Sequence, residues 1–177
     1  MSWGNCWGKY LRLLGLTGPI LATLIGAGCA LTGPIRSQVL DAQTGQPVPG
    51  AIALAVWTRR EGPPGLRATT LAGYKEVEVD DQGRFILERP EGLSFSEESV
   101  TVYKPGYIAW NNLDVFPALD RRENVRVPSQ IVLERFPSGE SHIRHRSFIA
   151  IQTMGVGLSG RAPKFYGAAR SEELIRD

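Results

Sequence analysis

The sequence is poor in cysteine and histidine. Of its 177 residues, only Cys6 and Cys29 are cysteines and only His142 and His145 are histidines. Residues 30–177 therefore cannot form an internal disulfide, and a domain formed by them must be stabilised by its own hydrophobic core. The chain also lacks any His-x-x-Glu pair, which excludes a zinc site of the carboxypeptidase type.

Acidic side chains are absent from residues 1–28, which contain the basic residues Lys9 and Arg12. Because the formal net charge of the whole chain is +2, the remaining residues carry equal numbers of basic and acidic side chains. A neutral body lacks the basic face with which nucleic-acid-binding proteins neutralise phosphates. We therefore expect no nucleic-acid partner.

The amino-terminal segment has the pattern of a secretory signal peptide. The two basic residues are followed by the uncharged run Leu13–Ile35, whose apolar centre is Ile20–Ile25. Small residues, Gly26-Ala27-Gly28, then stand directly before Cys29. This arrangement resembles the lipobox of bacterial lipoproteins, although Gly26 occupies a position where that family usually has leucine.

The lipobox resemblance implies a signal peptide at residues 1–28, lipid attachment at Cys29 and a short linker over 29–34. The membrane is then a partner through the lipid, and the protein is expected in the cell envelope, at the outer membrane or the periplasmic face. Two alternatives stay open. Cleavage after Ala30 would release a soluble exported protein, and an uncut segment would form a single transmembrane anchor.

Residues 35–135 predict short β-strands, because their apolar side chains recur at every second position. The segment Ala51–Trp57 is apolar at every position, as expected for a strand buried on both faces. By contrast, Arg59–Gly73 contains the sequence Gly62-Pro63-Pro64-Gly65 and predicts a long loop.

Two tight turns are predicted between later strands. Asp80-Asp81-Gln82-Gly83 has Asp first and Gly fourth, which favours a type I turn closing a hairpin between 76–79 and 84–88. Lys104-Pro105-Gly106-Tyr107 favours a type II turn after the strand Val100–Tyr103. Further strands are predicted at Val125–Val127 and Ile131–Leu133. The regular alternation of strands and turns indicates a sandwich or a barrel, and Ala168–Ile175 predicts a terminal helix.

Three segments carry a resemblance to a known family. They are residues 39–51, with Thr44-Gly45-Gln46-Pro47 and Gly50-Ala51; residues 80–85, Asp80-Asp81-Gln82-Gly83-Arg84-Phe85; and residues 100–107, ending Lys104-Pro105-Gly106-Tyr107. In this order they resemble the carboxypeptidase regulatory-like domain. The resemblance implies an all-β, transthyretin-like or immunoglobulin-like sandwich over residues 35–135. Residues 136–177 fall outside it, and we expect them to form a short, partly helical C-terminal extension that packs on the sandwich. The resemblance implies no catalytic activity and no cofactor.

We therefore expect a non-enzymatic cell-envelope lipoprotein that presents a binding or scaffolding module near the membrane. An envelope protein or a polysaccharide is its candidate partner. An alternative is an exported carbohydrate-binding protein that uses surface aromatic rings of Trp57, Tyr107 or Trp110. Such rings in strands belong more often to a core, and Tyr103 is a further member of this aromatic set.

Three further clusters receive structural interpretations. His142 and His145 have a spacing that can bind a metal or serve an envelope enzyme, but we expect both to face solvent. Asp80 and Asp81 are too few oxygen ligands for calcium, so a turn is expected. Arg59, with Arg60 and Arg67, is expected in a solvated loop rather than on an anionic envelope polymer. No metal site is predicted.

Overall fold

The computed structural model describes residues 33–154, 158 and 160–174. The chain divides into two units, Met1–Leu31 and Thr32–Asp177, and the description concerns the second. The predicted signal peptide at 1–28 and the predicted lipid attachment at Cys29 lie outside the described residues. None of the described helices has the length and apolar character needed to span a membrane.

The described residues form nine strands and two helices. They are β1 (Ile35–Asp41), β2 (Ile52–Glu61), β3 (Ala68–Glu78), β4 (Arg84–Leu87), β5 (Glu97–Tyr103), β6 (Trp110–Asn111), β7 (Asp114–Val115), β8 (Asp120–Arg121), β9 (Gln130–Leu133), α1 (His142–Met154) and α2 (Pro163–Leu174).

Two sheets pack face to face around a shared core. The first has the strand order β4-β1-β9, the second has the order β3-β2-β5-β6, and β7 pairs with β8 separately. Strand β1 is antiparallel to β4 and parallel to β9. The core between the sheets includes Val39 and Phe85 from the first sheet and Trp57 and Val102 from the second. The prediction of a mainly β fold is confirmed.

Strand β2 is buried on both faces, as its continuous apolar sequence predicts. Ala53, Ala55 and Trp57 lie in the core between the sheets. The alternate residues Leu54 and Val56 lie in a second core, on the other face of the same sheet. Both faces of a central strand are thus removed from water, which is the physical reason for its lack of alternation.

The second core is formed with the C-terminal extension. Phe148 of α1 and Phe165 of α2 belong to it, together with Tyr103 at the end of β5. Helix α2 begins where the carboxylate of Glu76 accepts hydrogen bonds from the backbone N–H groups of Lys164 (3.1 Å) and Phe165 (2.9 Å). The extension therefore covers the outer face of the four-stranded sheet, and its last helix begins earlier than the sequence predicts.

Two predictions about strand pairing and loop length are wrong. The turn at residues 80–83 forms, with the Gly83 N–H donating to the Asp80 carbonyl (2.9 Å), but it closes no hairpin. Strand β3 pairs with β2 and β4 pairs with β1, so the turn connects the two sheets. The predicted long loop at 59–73 is mostly paired strand, with Arg59 opposite Thr70, and the turn itself is limited to residues 62–67.

The predicted strand at Val125–Val127 is also wrong, since these residues have an irregular backbone in the structure. The carbonyl of Val125 accepts a hydrogen bond from the Asn112 side-chain amide (2.7 Å), and the Val125 side chain is exposed. A segment whose backbone bonds to a side chain instead of a neighbouring strand does not join a sheet.

Candidate functional site

The carboxylate of Asp41 connects the turns of the first and third sequence motifs, residues 39–51 and 100–107. Its Oδ1 accepts hydrogen bonds from the backbone N–H groups of Gln43 (2.8 Å) and Thr44 (3.0 Å). Its Oδ2 accepts from the Tyr107 hydroxyl (2.8 Å) and lies 2.9 Å from the Arg135 guanidinium. The hydrogen bond from Tyr107, with the two backbone bonds and the Arg135 charge, holds the pKa of Asp41 well below its usual range.

Tyr107 is committed to this network and is not a free aromatic surface. Burial, followed by the hydrogen bond to Asp41, raises the pKa of the Tyr107 hydroxyl. The guanidinium carbon of Arg135 lies 5.5 Å from the centre of the Tyr107 ring. Lys104, in the same turn, donates to the Pro49 carbonyl (2.7 Å). Residues of the first and third motifs therefore hold one end of the sandwich together.

Gly83 of the second motif also packs against this end. Its φ angle is +75°, and a Cβ atom on Gly83 would lie 2.6 Å from the Val39 carbonyl oxygen. The Val39 N–H in turn donates to the Gly83 carbonyl (2.7 Å). Glycine is required here because both the positive φ and the close approach exclude a larger residue.

A buried ion pair closes the opposite end of the sandwich. Arg89 and Glu98 side chains are only 13% and 11% exposed, and Arg89 donates to Glu98 through two nitrogens. Glu98 also accepts from the Trp57 indole N–H (2.8 Å), and Arg89 donates to the carbonyl of Gly33. The hydrogen bond to Glu98 raises the pKa of Arg89. This network fixes the start of the described chain to the sandwich.

The aromatic candidates are largely withdrawn from solvent. Trp57 and Tyr103 are fully buried, which removes Trp57 as a surface ring. Trp110 is half-buried, and the Arg122 guanidinium carbon lies 5.3 Å from its ring centre. Arg122 is itself held by a hydrogen bond from Nε to the Asn111 carbonyl (2.7 Å), and burial lowers its pKa.

The prediction that both histidines face solvent is wrong. His145 is fully buried, and its Nε2 accepts a hydrogen bond from the Ala109 N–H (2.9 Å). The rings of Phe116 and Phe136 lie 5.1 and 5.0 Å from the His145 ring. His142 is half-buried and stacks on Phe136 at 4.3 Å. Helix α1 turns His145 inward because the segment containing Ala109 offers a backbone donor there.

The paired carboxylates Asp80 and Asp81, which were expected to form a turn and not a calcium site, lie in that turn. Asp80 Oδ1 accepts from the backbone N–H groups of Gln82 (2.9 Å) and Arg84 (2.7 Å), so this carboxylate shapes the turn. Asp81 is exposed. Within the part of the chain that the structure describes, no group of three or more His, Cys, Asp or Glu residues could hold a metal ion.

Among the described residues, the outer face of the three-stranded sheet has the character of a binding surface. It carries Arg36 and Gln38 from β1, Arg84 and Ile86 from β4, and Val132 from β9. Neither Arg36 nor Arg84 forms an ion pair with any described residue, and Ile86 and Val132 are exposed. We call this surface the open face.

A cavity of about 610 Å³ adjoins the open face. Arg36, Arg84 and Glu78 contribute to its lining, together with Ser37. Ser37 is only 6% exposed, and its hydroxyl has no hydrogen-bond partner among the described residues. A buried hydroxyl without a partner is costly. Because Ser37 alternates with Arg36 and Gln38 along β1, its side chain lies on the core side of the sheet and not on the open face.

The residues of the open face were not among the sequence-predicted candidates. A signal was present, since Arg36 and Gln38 alternate with the buried residues Ile35, Ser37 and Val39, which predicts a solvent-facing side of β1. The sequence does not show, however, which sheet the C-terminal helices cover. Comparisons with protein-family models, curated proteins and solved structures find no match to this chain.

Proposed function

We propose that this protein is a non-enzymatic cell-envelope lipoprotein, anchored through Cys29, that presents a transthyretin-like sandwich as a binding module near the membrane. The lipobox-like sequence before Cys29 supports the anchor. The three motifs support the carboxypeptidase regulatory-like type, since Asp41, Gly83 and Tyr107 make close contacts between turns. These contacts stabilise the fold, and we propose no catalytic role for the residues that make them.

The open face carries the proposed binding role. The outer face of the four-stranded sheet packs against the C-terminal helices, whereas no described helix or strand covers the open face. Two guanidinium groups that form no ion pair with a described residue, and two exposed apolar side chains, suit a partner that combines carboxylate or phosphate groups with apolar contacts. An anionic region of an envelope protein or polysaccharide has this chemistry.

Carbohydrate binding through surface aromatic rings has less support. The Trp57 ring is fully buried, and the rings of Tyr107 and Trp110 are half-buried beside guanidinium groups. A sugar would have to displace these contacts before it stacked on either ring.

Site-specific photo-crosslinking in intact cells tests the binding role. A photoreactive amino acid placed at Val132, which is 53% exposed on the open face, is expected to form a crosslinked adduct. The same group at Ile151, which is 55% exposed on α1, is the matched control and is expected to form none. Replacing Arg36 and Arg84 with serine is expected to abolish the Val132 adduct. Adducts from position 151 and none from position 132 would contradict the proposed face.

A further inference from the structure

The β2–β3 hairpin projects beyond the rest of its sheet. We call residues 59–67 the hairpin tip. Strand β5 is paired with β2 as far as Thr58 and Glu97, and Ser96 before it still bonds to the Thr58 carbonyl and the Arg60 N–H. Strands β2 and β3 stay paired beyond this point, to Glu61 and Ala68. Four residues of β2 follow Trp57, and antiparallel strands rise about 3.4 Å per residue, so the tip extends about 14 Å past Trp57.

The hairpin tip combines one very exposed apolar side chain with three arginines. Leu66 is 80% exposed, and Arg59, Arg60 and Arg67 are all exposed. The only acidic residue in the tip is Glu61, which lies 3.3 Å from Arg59. An exposed leucine among basic side chains suits the boundary between anionic headgroups and acyl chains of a bilayer.

The turn that displays Leu66 has a defined conformation. The Leu66 N–H donates to the Pro63 carbonyl (3.0 Å). Gly62 has a φ of +113°, and a Cβ atom there would lie 2.7 Å from the Leu66 carbonyl oxygen. The leucine is therefore presented by a closed turn, which reduces the conformational entropy lost when it contacts a surface.

The hairpin tip leaves the sandwich at the end where the described chain begins. Gly33 is bonded to Arg89, which pairs with Glu98, and Glu98 accepts from the Trp57 indole. Gly33 thus lies near the level at which the hairpin passes Trp57. Cys29 precedes Gly33 by four residues, which span at most about 14 Å when fully extended. The tether to Cys29 is therefore no longer than the projection of the tip.

We propose that the hairpin tip rests on an anionic phospholipid bilayer and orients the anchored sandwich, with Leu66 in the interface and the three arginines at the headgroups. The inference rests on the proposed membrane anchor, because a tether of this length brings the tip to the bilayer surface. The opposite end, which contains the loop after Asp41, then points away from the membrane.

A fluorescent label at the tip tests this orientation. The full-length protein, purified from membranes and reconstituted into phosphatidylglycerol-containing vesicles, carries an environment-sensitive fluorophore at Leu66→Cys. The matched control carries it at Gln43→Cys, an exposed position in the loop after Asp41. We expect a blue shift and loss of quenching by aqueous iodide at position 66, and neither change at position 43.

A second variant removes the positive charge of the hairpin tip. Replacing Arg59, Arg60 and Arg67 with serine, in the Leu66→Cys background, is expected to restore iodide quenching while the circular dichroism spectrum stays unchanged. Equal quenching at positions 66 and 43 in the unaltered tip would overturn the proposal. So would shielding of position 66 that requires added anionic polysaccharide instead of phosphatidylglycerol.

Treating the unaltered protein with the same fluorophore distinguishes failure of the tip proposal from failure of the proposed lipid anchor. A lipid on Cys29 occupies its thiol, and Cys6 belongs to the predicted signal peptide. Fluorophore bound by the unaltered protein, which has neither introduced cysteine, would therefore show an unmodified cysteine and contradict the lipid anchor. In that case the fluorescence of the labelled unaltered protein is subtracted from the signals at positions 66 and 43, and the two positions can still be compared.

Discussion

Replacing His145 with alanine is expected to lower the free energy of unfolding by about 4 kcal/mol, because it creates a core cavity and leaves a buried N–H without its acceptor. His145 is fully buried against the Phe116 and Phe136 rings, and the unpaired N–H would be that of Ala109. Urea denaturation followed by circular dichroism measures the loss.

Two variants distinguish the role of the His145 side chain from a general effect on α1. His145→Phe keeps the ring but removes the acceptor, and is expected to cost about 2 kcal/mol. His142→Ala removes only a half-buried ring stacked on Phe136 and is expected to cost about 1 kcal/mol. If His145→Ala costs no more than His142→Ala, the C-terminal helices are not part of the folded core.

Replacing Arg89 with alanine is expected to lower the free energy of unfolding by about 3 kcal/mol, because it leaves the carboxylate of Glu98 poorly solvated and without its charge partner. Of the described side chains that donate to this carboxylate, the Trp57 indole would remain and Arg89 would be lost. The bond from Arg89 to Gly33 would be lost as well. Thermal and urea denaturation measure the change.

Arg121 supplies the matched control for Arg89. It lies 2.7 Å from Glu97, but the two side chains are 54% and 48% exposed, so Arg121→Ala is expected to cost at most about 1 kcal/mol. The double variant Arg89→Ala with Glu98→Ala is expected to recover part of the loss, since it removes the unpaired charge. Equal losses for Arg89→Ala and Arg121→Ala would show that burial of the pair is energetically unimportant.

Features decided by local sequence were predictable. The burial of β2 on both faces follows from its uninterrupted apolar residues, and the turns at Gly83 and Gly106 follow from residues that tolerate positive φ, which measures +75° and +85°. Strand pairing was harder, because β3 and β4 join different sheets across the turn at 80–83. The turn residues specify a reversal of the chain but not its partner strand.

The candidate sites depended on contacts between segments distant in sequence. The inward position of His145 is set by the backbone of Ala109, and the start of α2 is set by Glu76 of β3. Likewise, Arg36 and Arg84 lie on an open face because the C-terminal helices pack on the four-stranded sheet and not on the three-stranded one. No local pattern contains this information.

Metabolic labelling with a fatty-acid analogue tests the proposed membrane anchor most directly. The unaltered protein and the Cys6→Ser variant are expected to incorporate the label equally, because Cys6 lies within the predicted signal peptide. The Cys29→Ser variant is expected to incorporate none. Undiminished labelling of Cys29→Ser, or no labelling of the unaltered protein, would contradict the lipoprotein account.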